Sequence, residues 1–427
     1  MASSLPPFTP LQMLHIAGHI VWSGLTRPTF APFKPDDVDG FYPDPYPVFR
    51  RMIKEAPIFY SPRSLCWVVA ESYDTVIGLM KDERLSFDFR TWRFAPPPKP
   101  VEQRNALDEL TSNMLMMMPK KDHMRVRKLA IPAFSPRIVE TLRPDIRRVV
   151  SRYFDATDPN GFDFAVIAKR VPLEVLAKYL GVSSDYQQEF EGFSHAILAM
   201  YDPKESYDLP LALKGIEMIK RLVAEKRANP QDDLISVMAT TVEDGERLTE
   251  TEMLALLSAV LAAGPDTTRD HLANQALVLA MHPAVLQRLH DDPARIDDVV
   301  RECMRWRNFG HSGATRFALD DMELLGQTIR KGEMIRPMFQ CAMYDERVFP
   351  QPDRLDIDRP NLDKVMYFGI GAHYCLGAAM ARTITEEVIS ELARRYPRLE
   401  LAAPPVYRKN MISRRMESLL LRVPAAA

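Results

Sequence analysis

The spacing of apolar residues along the chain predicts a protein built mainly of helices. From Asp122 to Met281 apolar side chains recur every three or four positions, which is the period of a helix buried on one face. Strand signals are few: the β-rich runs Ile58–Tyr60 and Cys66–Ala70 flank a short polar turn and predict a hairpin. Further strand signal comes only after residue 314. The predicted fold class is mainly α (α+β), with a small β-rich part near the N-terminus.

The clearest helix start is Thr249-Glu-Thr-Glu252, a capping-box pattern followed by an apolar stretch that runs to Met281. Gly264 and Pro265 interrupt this stretch, and both are poor residues for a helix interior. One interpretation is a loop between two shorter helices. The other is a single long helix distorted beside a ligand, because irregular backbone inside a core is usually kept where something uses the freed groups.

Composition and charge exclude several classes of protein. The 427 residues include 55 Lys and Arg against 57 Asp and Glu, so no general positive field attracts nucleic acid or anionic membrane. The chain has 35 Pro against 17 Gly, which predicts rigid loops, and no repeat or flexible linker divides it. Four widely spaced cysteines form no disulfide or zinc pattern, so a cytoplasmic location is expected.

The most apolar N-terminal stretch, Leu11 to Leu25, is too short to span a bilayer and contains two histidines. We predict a surface or packing helix and no membrane span. His15 and His19 share a helical face, but without a third ligand nearby a metal site there is the weaker hypothesis.

One loop carries the most specific chemical pattern, Phe368-Gly-Ile-Gly-Ala-His-Tyr-Cys-Leu-Gly377. Its glycines let the backbone turn tightly and approach a flat cofactor. A predicted helix, Ala378 to Tyr396, begins just after Cys375 and brings its positive end near the sulfur, which favours a thiolate. A thiolate in such a loop is typical of an axial ligand to a haem iron that cleaves an O–O bond.

With this loop the sequence resembles the cytochrome P450 family, whose haem motif is filled by Phe368, Gly371, His373, Cys375 and Gly377. The resemblance extends from about Tyr42 to Val423. It implies a single cytochrome P450 haem-thiolate domain over residues 42–427, preceded by an N-terminal extension of residues 1–41. It also implies haem b (iron protoporphyrin IX) as cofactor and Cys375 as the ligand to its iron.

Glu302 and Arg305 match a second family motif, and at this spacing they lie on one face of a helix. Read alone, such a pair is usually a solvated surface pair. The resemblance implies instead a structural lock, closed by a third polar residue from Phe349–Arg359. Arg354 and Arg359 are both candidates for this residue.

Further basic residues are implied as ligands of the haem carboxylates. His123 and Arg127 lie four apart on one predicted helix, where both can reach a propionate. In the family the matching pair acts with an Arg after the lock helix, here Arg316, and with the loop histidine, here His373. Without the resemblance, the basic run Lys120–Lys128 would be a solvated helix face.

The segment Ala263–Thr268 matches the oxygen-binding segment of the family. Asp266 and Thr267 stand in the places of the acid and the alcohol that pass protons to bound dioxygen. Such a pair can relay protons from solvent into an apolar pocket. Thr267 also lies four residues after Ala263, to whose carbonyl its hydroxyl could donate.

The implied function is insertion of one oxygen atom from O2 into a C–H bond of a hydrophobic small molecule. Hydroxylation or oxidative demethylation of a lipid, terpenoid or steroid-like compound is the expected outcome. A peroxide-using or isomerising haem-thiolate protein is an alternative, although it would not need the acid and the alcohol. A non-catalytic haem sensor or carrier is the alternative from another class.

The substrate is expected near residues 87–118, 257–268 and 309–314 and the turn Met411-Ile412, as in relatives. Met114–Met118 would give this region a flexible apolar surface, although methionine clusters more often fill a core. Arg90 and Arg93 could instead hold a substrate carboxylate, with exposed arginines as the commoner outcome.

Electrons must come from another protein, because the chain has no flavin or nicotinamide fingerprint. A ferredoxin with its ferredoxin reductase is the expected donor, and a monomer is the expected state. The docking surface would be a basic patch formed by Lys120, Lys121, Arg125 and Lys128.

Overall fold

Helices make up most of the computed structural model, as the apolar spacing predicts. The structure describes residues 9–35, 37, 40–62, 64–115, 118–182, 189, 192–193, 208–310, 313–408 and 413–424. Within these ranges the α-helices are α1 (Pro10–Thr26), α2 (Tyr46–Glu55), α3 (Tyr73–Lys81), α4 (Ala106–Ser112), α5 (Lys120–Ala130), α6 (Pro136–Asp155), α7 (Phe164–Leu180), α8 (Leu209–Ala228), α9 (Leu234–Thr240), α10 (Glu250–Met281), α11 (Pro283–Asp291), α12 (Ile296–Trp306), α13 (Phe339–Ala342) and α14 (Ala378–Arg395).

The strands are short and form small sheets beside the helices. They are β1 (Ile58–Ser61), β2 (Cys66–Val69), β3 (Leu85–Ser86), β4 (Phe162–Asp163), β5 (Arg316–Ala318), β6 (Met322–Leu324), β7 (Gln327–Ile329), β8 (Met334–Pro337), β9 (Glu400–Leu401), β10 (Val406–Arg408), β11 (Arg415–Ser418) and β12 (Leu420–Arg422). The predicted hairpin is confirmed as β1 and β2, which pair antiparallel. The sequence pattern missed β3 and β4, which have two residues each.

The largest sheet joins distant parts of the chain in the order β1-β2-β8-β5-β3. Its centre is the parallel pair of β2 and β8, which aligns Val68 with Arg336. Strand β5 pairs antiparallel with β8 and brings Arg316 opposite Ile335. The sheet therefore carries one of the candidate haem ligands at its interior, far in sequence from the cysteine loop.

The long helix α10 begins with the capping box predicted from the sequence, in which the Thr249 hydroxyl accepts from the Glu252 N–H. The helix is continuous through Pro265 to Met281, so the interpretation of a loop between two helices is wrong. Its apolar side chains are buried along the first half, including Leu256 and Leu257. Hydrophobic burial on several sides of a helix offsets the poor intrinsic propensity of Gly and Pro.

Two large apolar cores support the fold. The larger core lies between α6, α7, α8, α10 and α14 and contains Phe164, Leu257 and Val388. The second lies under α2 and the large sheet and contains Phe49 and Val68. Both the long helix α10 and the helix after the cysteine loop, α14, belong to the larger core, which fixes their relative position.

Among the described residues, no helix is long and apolar enough to cross a membrane. The first helix, α1, packs against the edge strand β1. His19 bonds the Tyr60 hydroxyl at 2.9 Å, and its ring lies 5.1 Å from that of Phe94. The two α1 histidines thus make packing contacts, and the described residues contain no cluster of ligands for a metal ion.

Candidate haem site

The cysteine loop folds as its glycines require. Gly369 and Gly371 have φ values of 73° and 72°, a left-handed conformation that suits glycine. The Cys375 N–H donates to the Phe368 carbonyl at 2.9 Å, which closes the loop. Gly377 is the N-cap of α14, so the cysteine stands just before a helix N-terminus. Cys375 is exposed, whereas Cys66, Cys303 and Cys341 are buried.

Burial and the helix end act in opposite directions on the ionisation of Cys375. Burial by surrounding protein atoms raises the pKa of the thiol, while the Gly377 N–H and the Arg127 guanidinium lower it by less. A coordinating metal cation deprotonates a thiol outright. The loop thus offers an accessible sulfur that a bound metal cation would ionise.

Arg316 is a buried cation. The residue is 1% exposed, and none of the described acidic side chains forms an ion pair with it. Its guanidinium lies 3.3 Å from the centroid of the Phe87 ring and donates to the Thr315 carbonyl at 2.9 Å. Burial lowers the pKa of Arg316 to about 9. A buried guanidinium in this state calls for an anionic ligand.

The other three donors gather at the same place. The rings of His123 and His373 stack with centroids 4.1 Å apart, and Arg127 donates to the Tyr374 carbonyl in the cysteine loop. Nε2 of His123 is buried and has no hydrogen-bond partner among the described residues. The pKa of His373 falls to about 3 because of burial and of the charges on His123, Arg316 and Arg127.

These residues fit a haem. A porphyrin carries two carboxylates, and the structure gathers two guanidiniums and two imidazoles with a buried, unpartnered nitrogen beside the accessible cysteine. His123, Arg127, Arg316 and His373 would hold the carboxylates, and Cys375 would hold the iron. Phe368 packs its ring 4.3 Å from that of Tyr367 and supports the loop from within.

Asp266 and Thr267 lie on α10 at the predicted oxygen-binding segment. The Thr267 hydroxyl is exposed and donates to the Ala263 carbonyl at 2.5 Å, as its spacing predicts. The Asp266 carboxylate accepts from Arg415 and lies 3.2 Å from Arg269. The acid is therefore held between two cations, one on its own helix and one on β11.

The sequence alone did not identify Arg415 or Phe87. Arg415 belongs to β11, 149 positions after Asp266, and no local pattern indicates that contact. Phe87 covers Arg316 and lies 3.6 Å from the His373 ring. Arg269 was detectable, because it follows Asp266 by three residues on one helix.

Glu302 and Arg305 form a fully buried, bidentate pair on α12. Nε of Arg305 lies 2.7 Å from one carboxylate oxygen of Glu302, and Nη2 lies 2.8 Å from the other. Arg305 also donates to the carbonyls of Met343 and Pro352. The pair therefore ties α12 to two distant loops.

Arg359, and not Arg354, reaches this pair with its side chain. Nε of Arg359 lies 3.0 Å from Glu302, and its other nitrogens donate to the carbonyls of Pro350, Gln351 and Arg354. The Arg354 side chain is exposed, and only the backbone carbonyl of that residue takes part.

Arg90 and Arg93 are both exposed, which is the commoner outcome expected for them. Arg90 forms a two-point pair with Asp88, and Arg93 pairs with Glu333 at 3.1 Å. Three of the four cations in the expected basic patch also have acidic neighbours. The pairs are Lys120 with Glu83, Arg125 with Glu246 and Glu252, and Lys128 with Glu243 and Asp244.

The methionine cluster is mainly core in the part that the structure describes. Met114 and Met118 are buried in the larger core. Met116 and Met117 lie outside the described residues, as do the turn at 411–412 and positions 311–312 of the expected substrate segment.

This fold and this set of residues are typical of haem-thiolate proteins. Comparisons with known proteins identify the family to which the chain belongs. A cytochrome P450 family profile matches residues 211–423. The epothilone C/D epoxidase of Sorangium cellulosum is 30% identical over 411 residues, covering 92% of this chain and 95% of that protein. The polyketide biosynthesis cytochrome P450 PksS of Bacillus subtilis (strain 168) is 28% identical, covering 89% and 96%. The crystal structure of epothilone D-bound cytochrome P450epoK matches with a TM-score of 0.84 and 29% identity, over 93% of this chain and all of that one. The chain belongs to the cytochrome P450 family.

Membership settles the general activity. The protein is an oxidoreductase of the monooxygenase type that uses haem, takes electrons from redox partners and acts on a small molecule. The predicted P450 fold is confirmed by the similarity of the solved structures.

Proposed function

We propose that the protein is a ferredoxin-dependent, haem b monooxygenase that oxidises a C–H bond of a neutral, hydrophobic small molecule. The observation that carries the proposal is the convergence of four basic donors beside Cys375. None of them forms an ion pair with a described acidic residue. The acid Asp266 and the alcohol Thr267 both lie on α10.

The chain would hold the cofactor from two sides. Cys375 supplies the sulfur ligand, while His123, Arg127, Arg316 and His373 bind the carboxylates, and Phe368 and Gly377 shape the loop. When bound, the haem supplies activation of dioxygen and transfer of one oxygen atom to carbon. The overall reaction converts a C–H bond to C–OH and releases the second oxygen atom as water, which consumes two electrons and two protons.

Asp266 and Thr267 provide the route for those protons. The exposed Thr267 hydroxyl donates to the Ala263 carbonyl, so its oxygen lone pairs remain available to accept a proton-bearing water. Asp266 is held between Arg269 and Arg415. The carboxylate reaches solvent when it exchanges one of these guanidiniums for water.

Ion pairing within the protein supports a neutral substrate. Arg90 and Arg93, the cations of the expected substrate loop, already pair with Asp88 and Glu333. A fatty or terpenoid acid would have to displace one of these pairs. The names of two similar proteins refer to epothilones and to polyketide biosynthesis. A polyketide-like compound is therefore the first class to test, followed by lipid, terpenoid and steroid-like alcohols or hydrocarbons.

Ferredoxin and ferredoxin reductase are the proposed electron donors, with the family as the main support. Of the four cations in the expected patch, Lys121 is the one for which no ion pair is recorded among the described residues. We further propose a single haem domain over residues 42–427, a monomer, and a cytoplasmic location. All four cysteines are free, which suits a reducing compartment.

Reconstitution with reduced ferredoxin, dioxygen and a panel of candidate substrates tests the activity. The proposal expects product under these conditions and little with peroxide alone. Product formed only with peroxide would indicate a peroxygenase, and ligand binding without any product would indicate a sensor or carrier.

The carbon monoxide complex of the reduced protein tests the sulfur ligand separately. The wild type should show the long-wavelength absorption band of thiolate ligation, and Cys375→Ala should lose it. The matched control is Cys66→Ala, which removes a buried cysteine in β2 and should keep the band. A band that persists in Cys375→Ala would overturn the assignment.

A further inference from the structure

The N-terminal helix α1 turns polar side chains toward the protein and large apolar side chains toward the outside, which is the opposite of an ordinary surface helix. Toward the protein it presents His19, which bonds Tyr60, and Ser23, which is 0% exposed. Among the described side chains of α1, the large exposed ones are apolar apart from His15 and Thr26. The apolar ones are Met13, Leu14, Ile20, Val21, Trp22 and Leu25, and Leu25 reaches 82% exposure. A helix that faces only water normally has the opposite arrangement, so this face needs an apolar environment.

No charge on α1 could guide a polar partner to this face. The chain has no Asp, Glu, Lys or Arg before Arg27. Arg27 itself pairs with Glu333 at 2.6 Å, and its guanidinium lies 4.4 Å from the centroid of the Tyr60 ring. Recognition must therefore depend on burial of apolar surface, without electrostatic attraction.

The shape of the face favours a lipid surface over a second protein. At about 100° per residue, the exposed apolar side chains cover roughly 200° of the helix circumference, with Leu14, Val21 and Leu25 at the centre. A planar, deformable lipid phase fits this convex surface without a matching groove.

The edge of the face points the same way. Trp22 stands at one edge of the arc and is 51% exposed. Its indole combines an apolar body with an N–H donor and suits the level of lipid headgroups.

We propose that α1 is an interfacial helix that lies flat in one leaflet of a lipid bilayer, with Leu14, Val21 and Leu25 among the acyl chains. With 17 residues it is about 26 Å long, shorter than the roughly 30 Å hydrocarbon core, and it does not span. The attachment is peripheral and reversible, and it is independent of anionic lipid because α1 carries no cation of its own.

The position of α1 gives the attachment a use, and this step rests on the proposed function. The rings of His15 and His19 lie 5.7 Å and 5.1 Å from Phe94, in the segment expected to border the substrate site. A bilayer against α1 would therefore hold dissolved hydrophobic substrate beside that segment.

Vesicle flotation with the full-length, haem-loaded protein tests the inference. We expect binding to neutral phosphatidylcholine vesicles that is unchanged in 0.5 M salt. The double variant Val21→Glu/Leu25→Glu should reduce the bound fraction at least tenfold. The control Val166→Glu/Val406→Glu changes two valines that are also more than half exposed, on α7 and β10, and should bind like wild type. Circular dichroism checks that each variant is folded.

Insertion depth gives a second measurement. Brominated phosphatidylcholine should quench the tryptophan fluorescence of wild type, and Trp22→Phe should lose most of that quenching. Failure of wild type to bind neutral vesicles, or binding that requires anionic lipid and disappears with salt, would overturn the proposal. So would a dimer that Val21→Glu/Leu25→Glu abolishes while wild type ignores vesicles, because a second copy would then cover the face. Ferredoxin-supported turnover in detergent would continue in each of these cases. That assay therefore tests the proposed function independently of membrane binding.

Discussion

Arg359 should contribute strongly to stability, whereas Arg354, only five residues away, should contribute almost nothing. Replacing Arg359 with alanine removes the 3.0 Å contact to Glu302, whose carboxylate is 0% exposed. It also removes the donors to the carbonyls of Pro350 and Gln351. Arg354→Ala is the matched control, because its side chain is 67% exposed and its closest acid, Asp356, lies 3.8 Å away.

The magnitude follows from the partners that remain. Breaking a buried ion pair by removing one member costs about 3–5 kcal/mol. Glu302 keeps Arg305 and the Asp356 N–H, so the lower end of that range applies, and we expect Arg359→Ala to lose about 3 kcal/mol. Arg354→Ala should stay within about 0.5 kcal/mol of wild type. Arg359→Lys should fall between the two, because lysine lacks the planar fork that reaches three carbonyls.

Urea unfolding of the haem-loaded protein, followed by far-ultraviolet circular dichroism, measures these differences. A lower midpoint at constant slope reports a lower free energy of unfolding. Equal losses in Arg359→Ala and Arg354→Ala, or a loss below about 0.5 kcal/mol in Arg359→Ala, would refute the reasoning that burial of Glu302 makes its second cation necessary.

Three further predictions concern the site and its surroundings. Asp266→Asn should lower product formation roughly 100-fold and leave the carbon monoxide band intact, and an unchanged rate would remove Asp266 from proton delivery. His271 is buried and its pKa falls to about 3, so below about pH 6.5 only the unfolded chain gains its proton and stability is lost as pH drops. His271→Gln should therefore abolish about 1.6 kcal/mol of the acid-induced loss between pH 6.5 and 5, and a urea midpoint series with the same pH slope as wild type would contradict this. Arg316→Gln should speed haem transfer to apomyoglobin at least tenfold, whereas Arg90→Gln should not, and equal rates would exclude Arg316 as a carboxylate ligand.

Local patterns predicted the parts of the fold that depend on neighbouring residues. The capping box at Thr249, the hairpin at Ile58–Ser61 and Cys66–Val69, and the helix after Cys375 each follow from spacing within one element. The choice between a broken and a continuous helix at Pro265 needed the tertiary structure. Burial of the surrounding apolar side chains stabilises α10 there. Helix propensity, which depends on the local sequence, does not include the free energy of that burial.

Charged groups were harder to place, because their partners come from distant parts of the chain. Arg415 reaches Asp266 only through the register of β11, and Arg93 reaches Glu333 across 240 positions. The basic run on α5 looked unpaired in the sequence, yet residues of other segments neutralise most of it. Sequence spacing finds ion pairs within one helix, such as Glu302 with Arg305, and misses those that folding assembles.

The state of Arg316 has a consequence for the production of this protein in cells. A guanidinium that is 1% exposed and lacks a described acid partner is energetically unfavourable until an anion arrives. Newly synthesised chains that have not yet received porphyrin carry this penalty on an inner strand of their largest sheet. Porphyrin supply should therefore limit the yield of mature enzyme, and hosts starved of its precursor should accumulate chains that proteases readily degrade.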